Sequence, residues 1–151
     1  INMDNQMDEM DEIRSFFLEE AEELFENINK ILIEAEQNQE LSSDDIDNLF
    51  RDVHTLKGGS GSVELNYFAK YIHYLEDFMD ILRKGKLIPT MSIINFIMEE
   101  LDILTDIISQ EYESRIDDEN FNNQIKSLKE KIDKFINKKT IKHNLVENNF
   151  N

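Results

Sequence analysis

Apolar residues recur every three or four positions along most of the chain, and no stretch alternates strictly between apolar and polar. That period is the signature of amphipathic helices, and it predicts five of them. The first covers about 8–37, with Ile13, Phe17, Leu24, Ile28, Ile31 and Ala35 on one stripe and a Glu-rich opposite face. Asn38-Gln39 and Ser42-Ser43 interrupt it. Ser42 followed three residues later by Asp45 has the spacing of a capping box, so the second helix is expected to begin near Asp44. It carries Ile46, Leu49, Phe50, Val53 and Leu56 inward and ends within the cluster Gly58, Gly59 and Gly61. The third covers about 64–84, with Leu65, Phe68, Ala69, Ile72, Leu75, Met79 and Leu82 inward and Gly85 placed as a C′ glycine. Pro89-Thr90 opens the fourth, in which Ile94, Ile97, Leu101, Leu104 and Ile108 repeat three and four apart. The fifth, about 118–138, starts behind Asp117-Asp118-Glu119, acidic residues that suit a helix N-terminus, and carries Phe121, Ile125, Leu128, Ile132 and Phe135. From about 139 the pattern lapses, and residues 139–151 read as a tail or the start of a linker.

Four amphipathic helices joined by short loops bury their stripes best as an antiparallel bundle. The expected fold is therefore all-α: an antiparallel up-and-down four-helix bundle with an additional C-terminal fifth helix. One domain covers 1–138, its bundle core at about 8–114. A length of 151 residues suits a single domain, and one proline and four glycines leave few places to break long elements. At 40% apolar residues the chain is not a disordered one.

Charge narrows the partners. The formal net charge is −17, and it is concentrated in residues 1–125, which hold nine Lys or Arg against thirty Asp or Glu. Such a body repels nucleic acid and anionic membranes. Residues 126–151 reverse the balance, but they lack the interleaved aromatics of a nucleic-acid surface, and their lysines read as one helix's outer face. No cysteine is present, which excludes disulfide and thiolate–metal frameworks. Neither a membrane span nor a signal peptide is supported, so a cytoplasmic location is expected.

The candidate chemistry lies in His54-Thr55-Leu56-Lys57-Gly58-Gly59-Ser60-Gly61. On a wheel of roughly 100° per residue with Ile46 at zero, Phe50 and Val53 fall within about 40°. His54 falls near 80°, at the border between the apolar stripe and solvent. Lys57 and Gly58 follow one turn on. A helix that continues through these glycines gives up about 1 kcal/mol at each relative to alanine. In return, missing side chains beside a half-exposed imidazole leave an approach for a phosphoryl group or a bulky partner. Lys57 supplies a nearby point charge. The bland alternative is a helix end running into a flexible linker beside a structural histidine. A nucleotide-binding P-loop is excluded, because its lysine follows the glycines and Lys57 precedes them.

Phe50-Arg51-Asp52-Val53-His54-Thr55-Leu56-Lys57-Gly58-Gly59-Ser60-Gly61 resembles the phosphoacceptor signature of the histidine-containing phosphotransfer (HPt) domain at the N-terminus of chemotaxis histidine kinases of the CheA type. The similarity extends to Tyr71-Ile72-His73-Tyr74-Leu75-Glu76-Asp77, to Leu82-Arg83-Lys84-Gly85-Lys86-Leu87 and to the Ile-rich fourth helix. The resemblance implies a four-helix bundle with an added C-terminal helix, in which His54 accepts the ATP γ-phosphoryl group on Nε2. The donor is a separate histidine-kinase catalytic domain, which uses the ATP and Mg²⁺; this domain itself binds no cofactor. The acceptor is an aspartate on a response-regulator receiver domain of the CheY or CheB kind. The resemblance also assigns Glu76 as the hydrogen-bond partner that orients the imidazole, and Lys57 and His73 as an auxiliary polar cluster. Gly58, Gly59 and Gly61 would give the partner steric access. The small residues run on here as Ser60-Gly61-Ser62, which departs from the family and leaves the end of the second helix open.

Two other readings compete. A metal or hydrolytic site would use His54, His73 and Glu76 as three ligands, a set zinc accepts, although no H-E-x-x-H spacing is present. A helical scaffold would bind partners through its acidic faces. Within phosphotransfer, the chain is either a fragment of a larger kinase or a stand-alone HPt protein, and a monomer is expected in either case.

Overall fold

A computed structural model describes the backbone of residues 2–150 and the side chains of residues 9–138. The reading of 139–151 as a tail or linker lies outside the residues whose side chains are described. Five helices follow in order: α1 (Asn2–Asn38), α2 (Ser43–Ser62), α3 (Asn66–Arg83), α4 (Met91–Tyr112) and α5 (Asp118–Phe150). No strand occurs among the described residues.

Helices α1 to α4 close a ring in which each packs on its neighbours in sequence and α4 returns to α1, while α5 lies against α3. The antiparallel sense shows in the pairs that bridge the ends. Arg14, early in α1, donates from Nε to the carbonyl of Val63 at the end of α2, at 2.9 Å. Glu111, late in α4, accepts from the backbone N–H groups of Tyr67 and Phe68 at the start of α3, at 2.9 and 2.8 Å. This second contact supplies what α3 lacks locally, since its N-cap Leu65 makes no side-chain capping bond. Unsatisfied first-turn donors therefore find a carboxylate from another helix.

The core follows the predicted stripes, but in α1 it also takes in Ala21 and Leu32, which the stripe left out, and Ile13 leaves it. Phe17, Ala21, Ile28, Leu32 and Ala35 of α1 meet Leu49, Leu56, Phe68, Ile72, Ile94 and Leu104, all buried. Ile13, expected on the same stripe, is 51% exposed. Its neighbour Arg14 already reaches the C-cap of α2, so Ile13 stands level with the end of that helix, where little remains to cover it. Tilted aromatic contacts hold α5 in place: Phe135 packs on Phe78 of α3 and Phe96 of α4, with ring centroids 5.9 and 5.2 Å away.

The helix ends are set by backbone geometry more than by glycine. The box of Ser42 and Asp45 caps α2 reciprocally. Thr90 caps α4 by accepting from the Ile93 N–H, which places Pro89 just outside the helix. Gly85 takes φ +71° and closes α3, with Gly85 N–H to Leu82 and Lys86 N–H to Ile81. The end of α2 has the same two bonds, Glu64 N–H to Gly61 and Leu65 N–H to Ser60, but its left-handed residue is Glu64 at φ 62°. The glycine cluster thus lies inside the helix, and Leu65, buried beyond the cap, secures the reversal. Among the described residues, no helix is long and apolar enough to cross a membrane.

Candidate functional site

Because α2 continues through the glycines, His54 sits on a helix face, more than two turns from the C-cap. Its side chain is 63% exposed. Its Nδ1 lies 2.9 Å from Glu76 Oε2 on α3, and Lys57 Nζ lies 2.7 Å from the other carboxylate oxygen, Oε1. Glu76 is 11% exposed, so one carboxylate, mostly withdrawn from water, holds both an imidazole and an ammonium. Burial pushes its carboxyl upward. The hydrogen bonds from Lys57 and His54 and their charges outweigh that push, and hold it below the ordinary glutamate value. An ionised Glu76 accepts from Nδ1–H, which fixes the tautomer with a lone pair on Nε2.

A second contact meets the imidazole from its own helix. Phe50, one turn earlier, stacks on His54 with ring centroids 6.1 Å apart and planes 16° apart. The Arg83 guanidinium lies over the other ring system of this stack, 4.2 Å from the centroid of Phe50.

The glycines divide into two kinds. A Cβ on Gly58 or Gly61 would meet nothing within 4 Å, so these two do leave open space on the surface of α2. Gly59 does not share that role. A Cβ there would lie 2.6 Å from Cε2 of Phe17, a buried core ring of α1, so Gly59 is what lets α1 and α2 approach. The expectation that all three glycines clear the way for a partner is corrected at this position.

His73 is not among the residues gathered at Glu76. Its Nε2 faces Asp77 Oδ2 at 3.6 Å, and its ring meets the edge of Tyr74. The imidazoles of His54 and His73 therefore engage different carboxylates. Among the described residues, no group of three or more His, Asp or Glu side chains stands ready to hold a metal ion. The set of His54, His73 and Glu76 is not assembled as three ligands.

Sequence reasoning missed a buried polar pair on the other side of α3. Tyr71 donates its hydroxyl to Glu100 Oε2 of α4 at 2.5 Å, and Glu100 is 1% exposed. Lys131 of α5 stops 3.8 Å from Oε1, which has no hydrogen-bond partner. Burial raises both groups above their ordinary values: the Glu100 carboxyl against the pull of Tyr71 and Lys131, the Tyr71 phenol with added help from Glu100. Glu100 lies between buried Phe96, Ile97, Leu101 and Leu104, and this apolar setting was the available signal.

A helical bundle that presents an exposed imidazole on mid-helix, braced at Nδ1 by a carboxylate from the next helix, has the architecture of a phosphotransfer module. The Hpt domain family model matches residues 12–117, and the chain belongs to that family. It is similar to the chemotaxis protein CheA of Borreliella burgdorferi, 30% identical over 128 residues, which cover 85% of this chain and 14% of that protein. It is also similar to the sensor histidine kinase CheAY of Helicobacter pylori, 33% identical over 102 residues, covering 68% of this chain and 13% of that one. The chain thus spans about one seventh of the length of these relatives. A solved structure of the phosphorylated P1 domain of CheA3 in complex with CheY6, from R. sphaeroides, shares the fold. Its TM-score is 0.70 at 24% identity, covering 83% of this chain and 98% of that one.

Proposed function

We propose that the chain is the phosphocarrier domain of a chemotaxis histidine kinase of the CheA type, with His54 as phosphoacceptor. The observation that carries the reading is the pairing of Nδ1 with Glu76 on a ring that is 63% exposed. With Nδ1–H engaged, the Nε2 lone pair attacks the γ-phosphorus of ATP held by a separate kinase domain, which also holds the Mg²⁺. The bond to the bridging oxygen breaks, ADP leaves, and an N–P bond forms. Positive charge then develops on the ring, and Glu76 stabilises it through the proton it already accepts. Lys57, bonded to the same carboxylate, lies one helical turn away as a cation for the incoming phosphoryl oxygens.

The second half-reaction returns the group. An aspartate oxygen of a receiver domain attacks phosphorus, the N–P bond breaks, and neutral His54 is regenerated. The receiver approaches over Gly58 and Gly61, beside α1, which exposes Ile13 and Phe16 at 51% and 68%. The domain contributes no catalysis and no cofactor of its own, acts as a cytoplasmic monomer, and occupies 1–138, with 139–151 leading toward further domains of a larger kinase.

The test is incubation with labelled ATP and a cognate kinase core. The wild type acquires acid-labile, base-stable phosphate, and His54→Gln acquires none while keeping its helical spectrum. Equal uptake by the two proteins sinks the reading.

A further inference from the structure

A hydrogen bond at Nδ1 holds an exposed imidazole at one edge and leaves its Nε2 edge some freedom to tilt. On an exposed side chain this freedom is a cost to any reaction at Nε2, because attack needs a defined lone-pair direction. The structure holds a second restraint. Phe50 stacks nearly parallel to His54, with planes 16° apart, from one turn earlier on the same helix. Phe50 is itself half-buried against the core, so its ring is anchored on one side. Arg83, from the last turn of α3, lies over the same ring, with its guanidinium 4.2 Å from the centroid. Arg83 is held in turn by Asp80, which accepts from Nη2 at 2.6 Å and from Nε at 3.2 Å. A continuous row, Asp80–Arg83–Phe50–His54, thus joins α3 back to α2, parallel to the direct bond through Glu76.

We propose that Phe50 and Arg83 are positioning residues for His54: the guanidinium-backed ring sets the plane of the imidazole, as Glu76 sets its tautomer. The kinetic side of this inference rests on the phosphocarrier reading; the orientation of the ring does not. Arginine suits the place because its flat, weakly hydrated cation lies on an aromatic face, which a lysine ammonium does less well.

The experiment compares wild type, Phe50→Leu, Phe50→Tyr and Arg83→Gln in the full chain by two readouts. One is NMR relaxation of the His54 imidazole, which reports ring motion without any phosphate chemistry. The other is the rate of phosphate uptake from phosphoramidate, a small donor that needs no docking surface. In that step Nε2 attacks phosphorus, the donor P–N bond breaks, ammonia leaves with a proton, and Nδ1 keeps its own proton against Glu76. Phe50→Leu retains apolar bulk against the core; it is expected to loosen the ring and slow uptake about five- to tenfold. Phe50→Tyr restores both readouts. Arg83→Gln, at a 42% exposed side chain, gives a smaller change in the same direction. It decides the matter if Phe50→Leu fails to fold. Wild-type uptake and wild-type ring order in Phe50→Leu, or in Arg83→Gln should the first not fold, overturn the proposal. A wild type that takes up no phosphate removes the phosphocarrier reading instead, and ring order alone then decides for or against the positioning pair.

Discussion

His54 and Glu76 meet through Nδ1 and Oε2 at 2.9 Å, and the same carboxylate holds Lys57 by its other oxygen at 2.7 Å. Each oxygen of Glu76 therefore has one assigned donor. Replacing it removes the acceptor for Nδ1–H and frees the lysine together.

Glu76→Ala is expected to slow phosphate uptake by His54 about 10–100-fold, the equivalent of one charge-assisted hydrogen bond lost from the reacting state. Stability should fall by only about 1 kcal/mol, since His54 is mostly exposed and Lys57 partly so. Single-turnover uptake beside a thermal melt separates the two effects. A melt loss with unchanged uptake contradicts the orienting role.

The three glycines of α2 should respond oppositely to alanine. Gly58→Ala and Gly61→Ala place a methyl group in open space inside a helix and should stabilise the fold by about 0.5–1 kcal/mol each. Gly59→Ala drives a Cβ into Phe17 and should destabilise by about 1–3 kcal/mol. Chemical denaturation of the three variants checks the order; a destabilised Gly58→Ala or a neutral Gly59→Ala contradicts it.

Two carboxylates should bend the pH dependence of stability in opposite senses. Glu76 is held below its ordinary value near 4.5, so the unfolded chain binds its proton first as pH falls. Its contribution is complete above that value and is lost as pH drops through the lower folded one. Glu100 is raised above 4.5, so its contribution is complete below that value and is lost as pH rises through the folded one. Melts near pH 4 and pH 7.5 should show Glu100→Gln gaining on wild type as pH rises, and Glu76→Gln gaining on wild type as pH falls. Parallel curves for all three proteins would rule this out.

Glu111 caps α3 from the neighbouring helix α4, and Glu111→Ala should cost about 1–2 kcal/mol, as loss of a helix cap does. Hydrogen exchange localises the effect: the amides of Tyr67 and Phe68 should lose protection ahead of the middle of α3. Unchanged exchange at both positions excludes the cap.

What the sequence reveals of this fold follows from how each feature is encoded. Helix stripes, the Ser42–Asp45 box and Gly85 are local, and local spacing shows them. His54, Lys57 and Glu76 were legible because the signature around His54 resembles a known family; helical spacing alone puts Glu76, His73 and Asp80 on one edge without choosing among them. The structure chooses, sending His73 to Asp77 and Asp80 to Arg83 and Lys84. Contacts between residues distant in sequence left no periodic trace. Phe17 against Gly59, Glu111 under α3 and Tyr71 on Glu100 depend on which helices become neighbours and at what height. The stop of α2 was hidden for another reason: Glu64 takes the left-handed conformation that its residue type disfavours, beside glycines that do not.

His54 and the carboxylate that holds it are 22 residues apart and belong to one pair of helices joined by the short turn at Val63–Leu65. Lys57, Phe50, Asp80 and Arg83 come from the same pair. The proposed phosphoacceptor site is thus written in a single αα-hairpin of low contact order, whose contacts close early for a small entropic cost in loop. Among the described residues, helices α1, α4 and α5 pack around that hairpin without supplying a donor or acceptor to the imidazole. If the phosphocarrier proposal holds, substitutions on their outer faces can alter docking while leaving the groups around the imidazole untouched.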